Sequence, residues 1–191
     1  YELMNIQDKL GVTFVVVTHD QEEAMTLSTR IAVMDVGRFQ QIGTPTEIYE
    51  FPSSRLVATF IGNANMFEGR IIENGADHVI VESKDPACSF YIDHGMSIAE
   101  GSKVWVALRP EKIQVSKQSP GDSNFNCIKG MVNDIGYLGG TSTYRVLIGD
   151  DRIVEITSPN LSRPKDGNPP IDWDEEVFLS WEASNPVVLT K

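Results

Sequence analysis

Val15-Val16-Val17-Thr18-His19-Asp20-Gln21-Glu22-Glu23-Ala24-Met25 is the stretch on which the reading of this chain turns. Thr13 to Val17 is a nearly unbroken β-branched and aromatic run, the pattern of a strand covered on both faces in a parallel sheet. The run stops abruptly in polar residues. Asp20 is placed to cap a helix that starts at Gln21, and Glu23 stands three residues on, where a capping carboxylate belongs. His19 is therefore expected at the carboxyl end of a parallel strand, beside a helix N-terminus, where open α/β sheets bind ligands.

Upstream, Leu3, Met4, Ile6, Gln7 and Leu10 have the spacing of a helix face over Tyr1 to Leu10, with Gly11 as its stop. Downstream, Arg30 to Asp35 reads as a strand, Asp35 to Gly37 as a turn, and Phe39 to Ile42 as a short return strand. Thr44-Pro45-Thr46-Glu47 combines a Thr cap, Pro at the first helical position and Glu at the third. That helix ends at Phe51-Pro52. Ser53 is read as the cap of another helix, with Leu56, Val57, Phe60 and Ile61 on its face and Gly62 at its end.

Beyond Gly62 the character changes. Short alternating segments follow one another with Gly, Asn, Asp and Pro between them: Met66 to Ile72, His78 to Glu82, Ser89 to Ile92, Lys103 to Arg109, Ile113 to Val115, Cys127 to Ile135, Thr143 to Ile148, Ile153 to Ile156, Glu176 to Trp181 and Val187 to Leu189. This is the pattern of a small β-barrel or sandwich. The expected architecture is an α/β section over 1–62 followed by an all-β, OB-like barrel over 63–191. Phe67-Glu68-Gly69-Arg70-Ile71 is echoed by Ile128-Lys129-Gly130-Met131-Val132. Lys103-Val104-Trp105-Val106 is echoed by Glu176-Val177-Phe178-Leu179. A glycine inside a strand marks a bulge or barrel bend. The echo reads as a duplicated OB-like unit, with chance recurrence of short β motifs as the alternative.

At 191 residues there is room for one domain or two small ones, and a hydrophobic content of 41% is ordinary for a globular chain. The net charge of -11 repels phosphate backbones and disfavours a nucleic-acid role. No apolar run approaches the roughly 18 residues of a membrane span, and no signal peptide is visible, so a cytoplasmic chain is expected. Cys88 and Cys127 form no metal-type or redox-type pair and read as reduced thiols. The start at Tyr1 suggests a piece of something longer.

Val16-Val17-Thr18-His19-Asp20-Gln21-Glu22-Glu23-Ala24-Met25 resembles the switch-histidine (H-loop) segment of ABC transporter ATPases. Arg30-Ile31-Ala32-Val33-Met34-Asp35, Gly37-Arg38-Phe39, Gln41-Ile42-Gly43-Thr44-Pro45 and Glu47-Ile48-Tyr49 match the same family in the same order. The later part resembles the TOBE-type accessory domain of importer ATPases. Its matching pieces are Phe60-Ile61-Gly62 to Asn65, Phe67-Glu68-Gly69, Leu108-Arg109-Pro110-Glu111, Tyr137-Leu138-Gly139, Trp181-Glu182 and Val188-Leu189. Together the chain is similar to the C-terminal part of ATP-binding subunits of putrescine/spermidine importers.

The resemblance implies an intact protein that hydrolyses Mg-ATP at the cytoplasmic face of the inner membrane, as a peripheral subunit. Its implied partners are a second copy of itself, transmembrane permease subunits and, indirectly, an extracytoplasmic substrate-binding protein, with no nucleic acid. His19 is the implied catalytic residue, touching the γ-phosphate and the attacking water across a closed dimer. On spacing alone His19 reads as an exposed loop histidine. An imidazole can donate to a phosphate oxygen and orient water.

No Gly-x-x-x-x-Gly-Lys-Ser/Thr loop, signature Ser-Gly-Gly-Gln loop or magnesium-strand Asp-Glu pair stands in this chain. Gly136 to Gly140 reads as a barrel turn, since no lysine and no helix follow it. No cofactor-binding or metal-ligating residue is therefore assigned here, and the chain alone is expected to be inactive. Asp20, Gln21 and Glu23 read as cap and solvated helix face. His78 and His94 lie beside turn residues and are expected to be exposed. Arg109 and Glu111, flanking Pro110, are expected to pair at a strand end. Asp172-Trp173-Asp174-Glu175-Glu176 offers carboxylates and an aromatic to a dication such as putrescine, against the plainer reading of a solvated acidic run.

The competing function is a free-standing regulatory or small-ligand-binding module. Sugar and iron importer ATPases share most of these motifs, so substrate is not read here. A truncated sheet would expose unpaired strand edges, and self-association of the isolated chain is expected.

Overall fold

The computed structural model describes residues 2–121, 125–161, 163 and 170–191. The chain divides into two compact units, Tyr1–Gly62 and Asn63–Lys191. Most of the described secondary structure is antiparallel β-sheet, with a few short helices. Among the described residues no helix is long and apolar enough to cross a membrane.

The first unit opens with helix α1 (Glu2–Leu10); Tyr1, the expected first residue of that helix, lies outside the described residues. Leu3, Ile6 and Leu10 on its apolar spacing are exposed. The strand expected over Thr13 to Val17 is absent: these residues carry no strand assignment, and Val15 and Val17 are 89% and 95% exposed. A strand covered on both faces needs hydrogen-bonded neighbours, and no described residue pairs with this run.

The helix after it is present as α2 (Gln21–Leu27). Strands β1 (Ile31–Asp35) and β2 (Arg38–Gly43) form an antiparallel pair with a register shift at Val33/Met34. The turn between them passes through Val36 and Gly37, both at positive φ. Helix α3 (Pro45–Glu50) has the full capping box, Thr44 and Glu47 each bonding the other's backbone N–H. Helix α4 (Arg55–Phe60) is capped by Ser54, one residue later than expected. Its buried side chains are Val57 and Ala58, while Leu56 and Phe60 are exposed. Ile31, Val33, Ile48, Val57 and Ile61 make the small core of this unit, with Ala24 and Met25 of α2 packed on it.

The second unit holds strands β3 (Asn65–Asn74), β4 (Val79–Lys84), β5 (Ala87–Ile92), β6 (Lys103–Leu108) and β7 (Gln114–Ser116). After them come β8 (Phe125–Tyr137), β9 (Thr141–Ile148), β10 (Arg152–Pro159), β11 (Glu176–Glu182) and β12 (Val187–Leu189). They form two five-stranded sheets, ordered β12-β6-β3-β4-β5 and β7-β11-β8-β9-β10. The orders are the same when β3 to β7 are matched one by one with β8 to β12, except that the last strands are exchanged. Short β7 completes the sheet of the second half on β11, and short β12 completes the sheet of the first half on β6.

The duplication extends to single residues. The register of β3 slips between Ile71 and Glu73, and that of β8 between Val132 and Asp134. Gly101 at φ 80 and Asp174 at φ 60 occupy equivalent left-handed positions, each sending its N–H to the bulge-strand carbonyl, of Ile71 and Val132 respectively. Lys103 pairs with Glu68 at 2.8 Å, and the equivalent Glu176 pairs with Lys129 at 2.8 Å, the same bridge with its charges reversed. One continuous core lies between the sheets; within it Phe90 packs against Phe67 at 4.9 Å and against Trp181 at 5.5 Å, joining the two halves.

Candidate functional site

His19 stands on the segment before α2, and three hydrogen bonds shape that segment. The Asp20 side chain accepts the Glu23 N–H at 3.0 Å, which is the expected cap. Glu23 does not reach back to the cap residue's own N–H. That N–H goes to Thr18 Oγ1 at 2.9 Å, and the Thr18 hydroxyl donates to Glu23 Oε2 at 2.8 Å. Thr18 therefore fills the role that spacing assigned to Glu23. Helix α2 is held in its unit by Ala24 and Met25 and by the Gln21 side chain, whose Oε1 accepts the Gly62 N–H at 2.8 Å.

His19 itself is exposed at the crest of this turn. It can donate a hydrogen bond outward to an anion or a water. By itself it makes no phosphate cradle: the sequence has no glycine-rich loop with a following lysine, and no described group of His, Cys, Asp and Glu could hold a metal ion.

Residues 106–189 match the TOBE domain family. The chain carries a TOBE domain. Along nearly all its length it is related to ATP-binding proteins of polyamine importers. It is 42% identical over 189 residues to the putrescine transport ATP-binding protein PotG of Escherichia coli, covering 99% of this chain and 49% of that protein. It is 42% identical over 203 residues to the spermidine/putrescine import ATP-binding protein PotA of Trichodesmium erythraeum, covering all of this chain and 50% of that one. The PotA protein of Thermotoga maritima is 34% identical over 189 residues, covering 98% and 51%. The chain thus spans about half the length of the relatives it matches. In fold it resembles the cytoplasmic molybdate-binding protein ModG, with a TM-score of 0.53 at 14% identity, covering 65% of this chain and 94% of that one.

In the TOBE domain the expected acidic run is tied down. Glu175 accepts the Asp172 N–H at 2.9 Å and pairs with Lys117 at 2.7 Å, and Lys117 holds its carboxyl below the usual range. Glu176 is the residue paired with Lys129. Two of the carboxylates offered to a dication are thus already facing lysines. Arg109 is buried and donates to the Asn63 carbonyl at 3.1 Å, which ties the strand end to the start of β3. Burial raises the Cys88 thiol to about 11 and that of Cys127 by less, so neither is a ready nucleophile at neutral pH. A core cavity lined by Phe67, Phe90, Leu108, Leu179 and Trp181 is about 10 Å³, too small for an effector.

His78 differs from expectation. It is half-buried, its ring stacked on Tyr91 of β5 at 5.5 Å. Nε2 faces Glu73 Oε1 and Nδ1 faces Asp77 Oδ1, both at 2.9 Å. Both ring nitrogens can donate only in the imidazolium form. The carboxylates of Asp77 and then Glu73 raise the His78 value above 6.5, and His78 lowers that of Asp77. A raised folded-state value stabilises below the unfolded value and is lost as pH rises through the folded one. The urea midpoint of the wild type should therefore exceed that of His78→Gln in mild acid, and the gap should close as pH rises through the raised histidine value. A gap that stays constant across that range would contradict the clamp. His94, by contrast, is exposed, as expected.

Proposed function

We propose that this chain is the C-terminal part of the ATP-hydrolysing subunit of an ABC importer for polyamines. The α/β section over 1–62 would close the nucleotide-binding domain, and the all-β section over 63–191 would be its accessory domain. The observation that carries this reading is identity of 42% to PotG along 189 residues, running through both sections. The exposed valines Val15 and Val17 support it, since a β-branched run with unpaired backbone becomes a buried strand once neighbours are supplied. Residues from the other half of the protein would supply those neighbours, the phosphate cradle and the magnesium ligands.

His19 acts in this reading as the hydrogen-bond donor to the terminal phosphate and the water beside it. Its crest position lets it reach across to a nucleotide held by a second copy. Mg-ATP, when bound, supplies the phosphoryl group whose hydrolysis drives transport. The chain's own part is to hold His19 outward and to place the accessory domain after it. Permease subunits would dock the assembly to the cytoplasmic face of the inner membrane, and a separate binding protein would choose the polyamine. The accessory domain would serve dimerisation and regulation of the cycle.

The test is the intact subunit, assembled with its permease in proteoliposomes. His19→Ala should lower ATP hydrolysis roughly 100-fold or more, in line with removing a positioned donor from a developing charge. Putrescine uptake should fall with it. Hydrolysis at the wild-type rate would sink the assignment of His19. Uptake of a sugar or iron complex in place of putrescine would correct the substrate alone.

A further inference from the structure

We infer that Thr18 and Glu23 are positioning residues for His19, acting through a hydroxyl-centred brace that spans it. This rests on the reading of His19 as the phosphate-facing residue. The Thr18 hydroxyl is used twice: it donates to Glu23 Oε2 at 2.8 Å and accepts the Asp20 N–H at 2.9 Å. The Asp20 carboxylate accepts the Glu23 N–H at 3.0 Å. These bonds close a loop from residue 18 to residue 23, with His19 inside it and its two chain neighbours, Thr18 and Asp20, both fastened. The imidazole is thus carried by a backbone fixed on both sides while the ring remains exposed.

The brace also assigns Glu23 a chemistry. Its Oε2 is engaged as an acceptor for a hydroxyl. Glu23 therefore acts by accepting that hydrogen bond, and its negative charge is incidental. Glutamine, whose carbonyl oxygen accepts in the same place, should replace it. Valine has the shape of threonine without the hydroxyl and should not replace Thr18, whereas serine should. A loosened histidine loses rate through misplacement, since a shift of about 1 Å at a reacting centre can cost roughly 100-fold.

The intact subunit with its permease is compared as wild type, Thr18→Val, Thr18→Ser, Glu23→Ala, Glu23→Gln and His19→Ala. Thr18→Val and Glu23→Ala should lower kcat for ATP about 10- to 100-fold with KM unchanged. Thr18→Ser and Glu23→Gln should keep kcat within a few-fold of wild type. In the same variants, exchange of the Asp20 amide should speed up in Thr18→Val and not in Thr18→Ser. If His19→Ala loses activity while Thr18→Val keeps it, the brace is overturned and the role of His19 stands. If His19→Ala keeps full activity, the role of His19 is overturned and the positioning role with it. A fall in kcat for Glu23→Gln as large as for Glu23→Ala would assign the charge of Glu23, against the brace.

Discussion

Gly130→Ala should destabilise the second unit by about 2–3 kcal/mol, read as a lower guanidinium midpoint. A Cβ on Gly130 would stand 2.4 Å from Val146 Cγ1, 2.7 Å from the Leu147 carbonyl oxygen and 2.8 Å from Ile148 Cγ2. Leu147 belongs to β9, the strand paired with β8, so its oxygen cannot retreat without opening the ladder. Gly69 faces the same arrangement in the first half, with Val81 Cγ1 at 2.6 Å and the Glu82 carbonyl oxygen at 2.8 Å. Gly69→Ala should cost about as much. Gly136 lies in the same strand as Gly130, with its nearest neighbours at 3.9 Å, and serves as the control. Gly136→Ala should be neutral or slightly stabilising, because alanine restricts the unfolded chain more than glycine does. A Gly130→Ala variant that unfolds at the wild-type midpoint would refute the close approach.

Asn126→Leu should cost about 2–3 kcal/mol in the same measurement, from two part-buried hydrogen bonds lost and two backbone groups left without their side-chain partner. The Asn126 side chain accepts the Tyr91 N–H at 2.7 Å and donates to the Tyr91 carbonyl at 2.9 Å. Tyr91 lies on β5, the outer strand of its sheet, where outward-facing backbone groups have no ladder partner. Asn65 does the same for β10, accepting the Glu155 N–H at 2.9 Å and donating to its carbonyl at 2.8 Å. Both asparagines are buried, at 8% and 9% exposure for Asn65 and Asn126. Asn65→Leu should match Asn126→Leu in cost. Asparate at either position keeps the acceptor but turns the donating nitrogen into an oxygen facing a carbonyl, and should be no better than leucine. If either leucine variant is as stable as wild type, the asparagines do not hold the outer strands.

Much of the secondary structure was legible because its signals are local. The β-segments after Gly62 each appear as a strand, since their alternation and the turn residues between them agree. Thr44-Pro45-Thr46-Glu47 starts its helix as read, because a capping box is closed within four residues. The strand at Thr13 to Val17 fails for the opposite reason: apolar content makes a strand possible, but only hydrogen-bonded neighbours make it one. A flanking Asp makes His78 read as an exposed turn residue, while its ring, just before β4, stacks on Tyr91 of β5.

The asparagine pair has a signal in the sequence, two residues before the Phe67–Ile71 and Ile128–Val132 echo. Asn65-Met66-Phe67-Glu68-Gly69 and Asn126-Cys127-Ile128-Lys129-Gly130 place each asparagine at the same distance before its glycine. Aligned that way, the echo predicts equal roles for the two. It does not say what they bind, because the partners, Glu155 and Tyr91, lie on the far halves of the chain.

The sequence by itself determined the segments, the change of character at Gly62, the duplicated motif and the resemblance that points to His19. All of these depend on residue types and spacings within a few turns of chain. Only the tertiary structure decided that β7 and β12 are exchanged between the halves, that Thr18 braces the turn carrying His19, and that Glu175 and Glu176 of the acidic run face lysines. Those features depend on which distant backbone and side-chain groups meet, and periodicity carries no information about partners. A short strand reads the same whichever sheet it joins; its place is set by the free edge that β6 or β11 presents to it.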